Sequence, residues 1–160
     1  MLIRPALNSD LQELQRIFAA AKSFMRSTGN LEQWNGPYPS DELLLSEISA
    51  GHCFMVESEG KPVATFCLIL GADPTYSYIE GEWPSDAPYG TIHRIASDGS
   101  VRGIGEFVFN HCFSIIDTIR IDTHEDNLPM QNLVTKYGFE RCGIIYIADG
   151  SPRIAYQKSI

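Results

Sequence analysis

The stretch Ile92 to Gly105, reading IHRIASDGSVRGIG, passes from an apolar run through a glycine-bearing turn into the start of a helix. Gly103 and Gly105 carry no Cβ, so the backbone N–H groups of Val101, Arg102, Gly103, Ile104, Gly105 and Glu106 can come close to a bulky anion. They do so at a helix start whose dipole favours negative charge. That combination suits a pyrophosphate, although the spacing alone is equally satisfied by an ordinary tight strand-to-helix connection. The other reactive side chains are scattered. Cys53, Cys67, Cys112 and Cys142 include no CxxC pair, and His52, His93, His111 and His124 include no HxxxH pair. The cysteines therefore read as reduced core residues, and no metal is expected.

Beyond the turn come FVFNHCFSIID, a strand-like IRIDTH, and then EDNLPMQNLVTKYGFERCG. This ordered series resembles the GNAT superfamily of acyl-CoA-dependent N-acetyltransferases. VRGIG matches the family's coenzyme loop, Asn127 follows the next strand, and Lys136-Tyr137-Gly138-Phe139 close the following helix. The resemblance implies an acetyl group moved from acetyl-CoA to a primary amine of a small molecule or peptide by direct attack on the thioester. It also implies that Ile95, Ala96 and Ser97 pair with the pantetheine arm through their main chain. The pyrophosphate would then meet the Val101 to Glu106 turn, with Arg102 adding a cation unless it is a plain surface arginine. Asn127 would contact the coenzyme or cap a helix. A homodimer is implied on the same grounds.

The chain departs from the family pattern at several positions. Ser100 stands where many members have Arg or Gln, and the frequent tyrosine general acid falls on Val134, so no proton donor is assigned. Tyr137, one turn on, reads as core. The family's glutamate base aligns with Tyr89. Keeping a lysine-like amine neutral at pH 7 costs about 4.6 kcal/mol, so a base should assist. His93 is the leading candidate, with Glu80 on the preceding strand next and Asp122 and His124 behind them; a packed structural histidine is the alternative for His93. A non-catalytic acyl-CoA-binding or regulatory module is the competing reading of the whole chain. A P-loop or Rossmann enzyme fits poorly, because GKS/T is missing and β-α units do not repeat.

The elements that must position these groups can also be read. A chain of 160 residues with 44% hydrophobic content suits one domain spanning residues 1–160. A net charge of −8 with no basic run argues against nucleic acid. No stretch of about 18 apolar residues suggests a membrane span, and MLIRPALNSD lacks a signal-like apolar core, so a cytoplasmic protein is expected. Leu2 to Arg4 reads as a strand, and Ser9 with Gln12 as a capping box opening a helix through Leu11, Leu14, Phe18, Ala21 and Met25. In the loop RSTGNLEQWNGPYPS, Trp34 and Tyr38 either plug the core or wall an acceptor pocket. Ser40 caps a second helix that Gly51 stops. CFMVES and PVATFCLIL form a hairpin, a third strand is expected from Tyr76 to Gly81, and Trp83 to Gly90 is a loop. Pro129 suits the first turn of a helix that Gly138 ends, and Asp149-Gly150 turns a closing hairpin. The expected fold is α+β (mixed α/β). The resemblance makes it a six- or seven-stranded mixed, splayed sheet flanked by helices.

Overall fold

The computed structural model describes residues 1–160 and contains one mixed sheet of eight strands flanked by four α-helices. In chain order these are β1 (Leu2–Pro5), α1 (Leu11–Ser27), α2 (Asp41–Ser49), β2 (Cys53–Ser58), β3 (Lys61–Leu70), β4 (Glu80–Gly81), β5 (Gly90–Ser97), α3 (Ile104–Phe113), β6 (Thr118–Thr123), α4 (Leu128–Lys136), β7 (Glu140–Tyr146) and β8 (Pro152–Ser159). Across the sheet the order is β1-β2-β3-β5-β6-β8-β7-β4. Every neighbouring pair is antiparallel except β5 and β6, which α3 joins as a parallel crossover.

Strand alternation sorts the core into two layers. Met55 and Cys67 meet Leu14, Ile17, Phe18 and Leu44 of α1 and α2 on one face. Their neighbours Val56, Phe66 and Leu68 meet Val108, Phe109 and Val134 of α3 and α4 on the other. A period of two along each strand is what sends adjacent side chains to opposite faces. A smaller cluster of Tyr76, Ile145 and Ala155 seals the loops over the far strands, with Trp83 and Tyr89 packed on it.

Two features of β5 shape the middle of the sheet. Thr65 pairs with Ala96 and Cys67 with His93, so β5 holds one residue more than β3 across this interval, and Arg94 takes a left-handed φ of 52°. Such a bulge bends a strand and re-aims a side chain. Here His93 and Arg94 both turn towards the α1–α2 face, His93 onto Asp73 and Arg94 onto Glu47 of α2. In addition, β5 pairs with β6 only at Gly90↔Ile119 and Thr91↔Arg120, after which the two strands diverge. The backbone of β5 beyond Thr91 therefore has no ladder partner on its β6 side.

Three local expectations are corrected. Helix α1 is not opened by a Ser9–Gln12 box: a 3₁₀ turn over Asn8–Asp10 precedes it, and the Asp10 carboxylate accepts the Leu7 N–H at 2.7 Å. Asp10 also takes two guanidinium nitrogens of Arg4 at 2.7 and 2.9 Å, a charge-assisted pairing that a serine hydroxyl cannot match. The strand expected from Tyr76 to Gly81 shrinks to Glu80–Gly81, because Asp73 accepts the Thr75 N–H and starts a 3₁₀ turn over Pro74–Tyr76. That short strand pairs with β7 and brings the sheet to eight strands rather than six or seven.

Candidate functional site

Where β5 and β6 part, a cleft of about 860 Å³ opens. Ile92, Ile95 and Ile121 from the diverging strands line it, as do Trp34 and Tyr38 from the α1–α2 connection, Ile147, Asp149 and Ser151 from the β7–β8 connection, and Arg153 at the start of β8. The α1–α2 connection is tied down from several sides. The Trp34 ring stands edge-on to Phe18 at 5.5 Å, Lys22 donates to the Gly36 carbonyl at 2.9 Å, and the Tyr38 hydroxyl accepts from Arg94 at 3.1 Å. Trp34 thus packs on the core and faces the cleft at once.

Charged groups sit on the α1–α2 face of the cleft in hydrogen-bonded sets. His93 Nε2 meets Asp73 Oδ2 at 2.7 Å, and the other Asp73 oxygen accepts from the Thr75 N–H at 2.9 Å and the Thr75 hydroxyl at 2.7 Å. Burial would push the Asp73 carboxyl up. The hydrogen bonds from His93 and Thr75 outweigh it and hold the group at about 2. On β6, Asp122 Oδ2 accepts the Tyr76 hydroxyl at 2.6 Å. Here burial prevails and raises the carboxyl above its ordinary value, against the opposing pull of the Tyr76 hydrogen bond, His93 and Arg153. The two aspartates, both of which line the cleft, are therefore driven in opposite directions. Arg94 donates to Glu47 at 2.8 Å, and Glu47 also meets His52 at 2.8 Å.

The α3–α4 side is built from backbone. Gly103 sits at φ 79°, the left-handed conformation that lets the chain turn from the loop into α3, and a Cβ there would meet nothing within 4 Å. The N–H groups at the start of α3 lack intrahelical partners, as at any helix start. Asp98 braces the loop, accepting from the Ser100 N–H and hydroxyl and pairing with Arg16 at 2.9 Å. Ser100 is thus absorbed by the loop itself. Gly105 answers a different demand: a Cβ on it would lie 2.4 Å from Leu133 Cδ2, so it lets α3 and α4 approach.

The remaining candidates fall as follows. Ile95 lines the cleft, Ala96 is buried against the α1–α2 cluster, and the Ser97 hydroxyl accepts the Gly99 N–H at 3.1 Å. Val101 packs on the α3–α4 core and Ile104 is buried in it, while Arg102 and Glu106 are exposed. Asn127 caps α4 by accepting the Met130 N–H at 3.2 Å, and its amide donates to Gln33 at 3.0 Å, tying the α1–α2 connection to α4 across the cleft mouth. Glu80 is exposed at the sheet edge, where it accepts the Tyr146 hydroxyl at 2.8 Å; it is not brought together with His93 in the cleft wall. His124 lines the cleft and accepts the Asp126 N–H at 3.0 Å. Val134 is fully buried, and the Tyr137 hydroxyl turns to Asn110 of α3. Tyr89 accepts the Asp73 N–H at 2.8 Å and stacks with Trp83 about the Arg120 guanidinium, each ring centre 3.9 Å away. That clamp holds the Trp83 to Gly90 loop on the sheet rather than in the cleft.

The sequence pattern does not single out Asp73, Gln33 or Arg153, which the fold brings to the cleft. For Asp73 a signal existed, since Asp-Pro-Thr is a turn starter. For the other two there is none: Gln33 meets Asn127, 94 residues on, and Arg153 is buried only because β8 pairs with both β6 and β7. No three His, Cys, Asp or Glu side chains gather as a metal site requires, and no helix is long and apolar enough to cross a membrane.

The sequence matches no family model and no curated protein. Solved structures do match. A GNAT-family acetyltransferase from Streptococcus agalactiae superposes with a TM-score of 0.91 at 29% identity, over 99% of this chain and 95% of the other. The ribosomal-protein-S18-alanine N-acetyltransferase from Escherichia coli matches with a TM-score of 0.66 at 17% identity, over 99% of this chain and 93% of that one. A GNAT-like decarboxylase, GphF, in complex with isobutyryl-CoA matches with a TM-score of 0.70 at 16% identity over 99% of both chains. Parallel strands that part just before a bulge, with a glycine turn leading into the crossover helix, describe an acyltransferase framework. The chain belongs to the GNAT superfamily.

Proposed function

We propose that this protein transfers an acetyl group from acetyl-CoA to a primary amine of a small molecule or peptide. The observation that carries the reading is the His93–Asp73 pair, set at 2.7 Å on the strand where the sheet opens and facing the cleft. Asp73 holds the Nε2–H and stabilises the imidazolium that forms when Nδ1, which has no protein partner, takes a proton from the acceptor ammonium. Asp122 is the second carboxyl facing that path. For the proton returned to the departing thiolate we assign Tyr38, the phenol on the cleft wall, whose hydroxyl already accepts from Arg94.

The residues fit a coenzyme. The open edge of β5 from Ile95 to Ser97 offers unpaired main chain to an extended arm, and the Val101 to Glu106 turn offers N–H groups and a helix start to a pyrophosphate. Bound there, acetyl-CoA supplies the activated acyl group as a thioester. The test is free-thiol release from acetyl-CoA across a panel of polyamines, amino acids, aminoglycosides and N-terminal peptides. Thiol release with one acceptor class is the expected result. Coenzyme binding with no thiol release on any amine would favour a non-catalytic acyl-CoA-binding module instead.

A further inference from the structure

All but one of the shielded arginines meet a carboxylate, or several acceptors and aromatic rings, although Arg94 Nε has no partner. Arg4 meets Asp10 and Glu57, Arg94 meets Glu47, and Arg120 meets Gln157, the Ser85 carbonyl and two aromatic rings. Arg153 is the exception. It is 8% exposed, its one protein hydrogen bond runs from a terminal nitrogen to the Pro152 carbonyl at 2.8 Å, and no carboxylate pairs with it. It lines the cleft. A guanidinium taken so far out of water is costly unless an anion or several acceptors meet it.

Its position is fixed by sheet register. Asp122 on β6 pairs with Ala155 on β8, so Arg153, two residues before Ala155, is the diagonal neighbour of Asp122 on the same face. Residues so related lie about 7–8 Å apart, with their Cβ atoms somewhat closer, near enough for one small molecule to reach both side chains. One Asp122 oxygen, Oδ2, accepts the Tyr76 hydroxyl, and Arg153 lines the cleft without an ion pair to Asp122. Resting on the N-acetyltransferase reading of this cleft, we propose that the acceptor is an amino-acid-like zwitterion. Its ammonium lies towards His93 and Asp122, and its carboxylate is gripped by Arg153. A guanidinium is the side chain whose planar fork matches a carboxylate. A doubly charged phosphate fits less well, since the cleft also carries Asp73, Asp122 and Asp149.

The test measures binding and turnover separately, with CoA or acetyl-CoA present, for the proteinogenic amino acids and for their carboxamides, which keep the amine and lose the anion. The wild type should bind and acetylate its preferred amino acid at least about tenfold better than the matching carboxamide. Arg153→Gln should erase that preference while leaving the carboxamide rate near its wild-type value, and Arg153→Lys should restore part of it. Equal treatment of the two compounds by the wild type, which needs no variant to fold, overturns the proposal; so does an Arg153→Gln enzyme that loses both activities alike. A carboxylate at the end of a dicarboxylic acyl chain would meet the same guanidinium. A preference for succinyl-CoA over acetyl-CoA that disappears in Arg153→Gln would assign the arginine to the donor and overturn it as well. Carboxylate-dependent, Arg153-dependent binding without thiol release would uphold this inference and bring down the acetyltransferase reading.

Discussion

The two sides of the opened sheet are built from different materials. On the α3–α4 side the candidate coenzyme cradle is main chain: a strand edge without a ladder partner and a turn that needs a left-handed residue at Gly103. On the α1–α2 side the candidate acceptor pocket is side chain, with Asp73, His93, Asp122 and Arg153 delivered by four segments far apart in sequence. A backbone cradle binds what every substrate of a class shares and tolerates many side chains. A side-chain pocket distinguishes one acceptor from another, and each of its members can be lost singly.

His93→Gln tests the side-chain pocket most directly. The glutamine amide can still donate to Asp73, but it cannot take the acceptor's proton. The expected loss is about 10²–10⁴-fold in kcat, the usual contribution of acid–base catalysis. Coenzyme affinity, read as the melting shift with acetyl-CoA, should hold. If affinity falls with kcat, the two sides do not act separately.

The next test compares the two aspartates. Asp73 is held at about 2, below its ordinary 3.8, with a side chain 13% exposed. A depressed carboxyl stabilises the fold fully above its unfolded pKa, and that contribution is lost as pH falls from 3.8 towards 2. The shift corresponds to about 2 kcal/mol. Asp73→Asn should therefore lower Tm at pH 7 by roughly 4–8 °C, a deficit that closes in acid. Asp122 has the opposite sign. Burial raises its carboxyl, so its ionised form weighs against the fold above the folded-state pKa, and this penalty is relieved as pH falls and the group protonates. Asp122→Asn should raise Tm at neutral pH, with a gain that fades on acidification while activity drops, the trade-off expected of a strained functional group. A lower Tm in both variants at pH 7 would show both aspartates to be structural.

The division between backbone and side chain also explains what could be read from the sequence. The β2–β3 hairpin, the strand-turn-helix from β5 to α3 and the Gly138 stop of α4 follow from local patterns, since a glycine or a period of two reports on its own neighbourhood. The candidate coenzyme loop is contiguous, so a local pattern is enough to outline it. His93 could be named, but its Asp73 partner lies 20 residues earlier and only the fold joins them. Glu80 is the second candidate by residue type and place, yet the two-residue strand β4 puts it at the far edge of the sheet. Arg153 carries no sequence signal at all, because its burial depends on β8 pairing between β6 and β7.

The smallest expected effect separates the two glycines of the cradle. At Gly103 an added methyl would point into open space but at a φ of 79°, so Gly103→Ala should cost about 1–2 kcal/mol of backbone strain. It would also put a Cβ where an anion must approach the N–H groups. At Gly105 the added Cβ would come within 2.4 Å of Leu133 Cδ2 and 3.2 Å of its Cγ, so the leucine must turn aside. Alanine in place of glycine inside a helix regains about 0.5–1 kcal/mol, which offsets much of that cost. Gly105→Ala should therefore leave the apo Tm within a few degrees of wild type and keep the stabilisation by acetyl-CoA, about 2.7 kcal/mol at roughly a hundred times Kd. Gly103→Ala should lower the apo Tm and shrink that stabilisation. The measurement is Tm with and without saturating acetyl-CoA for both variants. If Gly105→Ala is the one that loses the coenzyme shift, the anion approaches the first turn of α3 from the α4 side, and the separation of packing glycine from binding glycine is reversed.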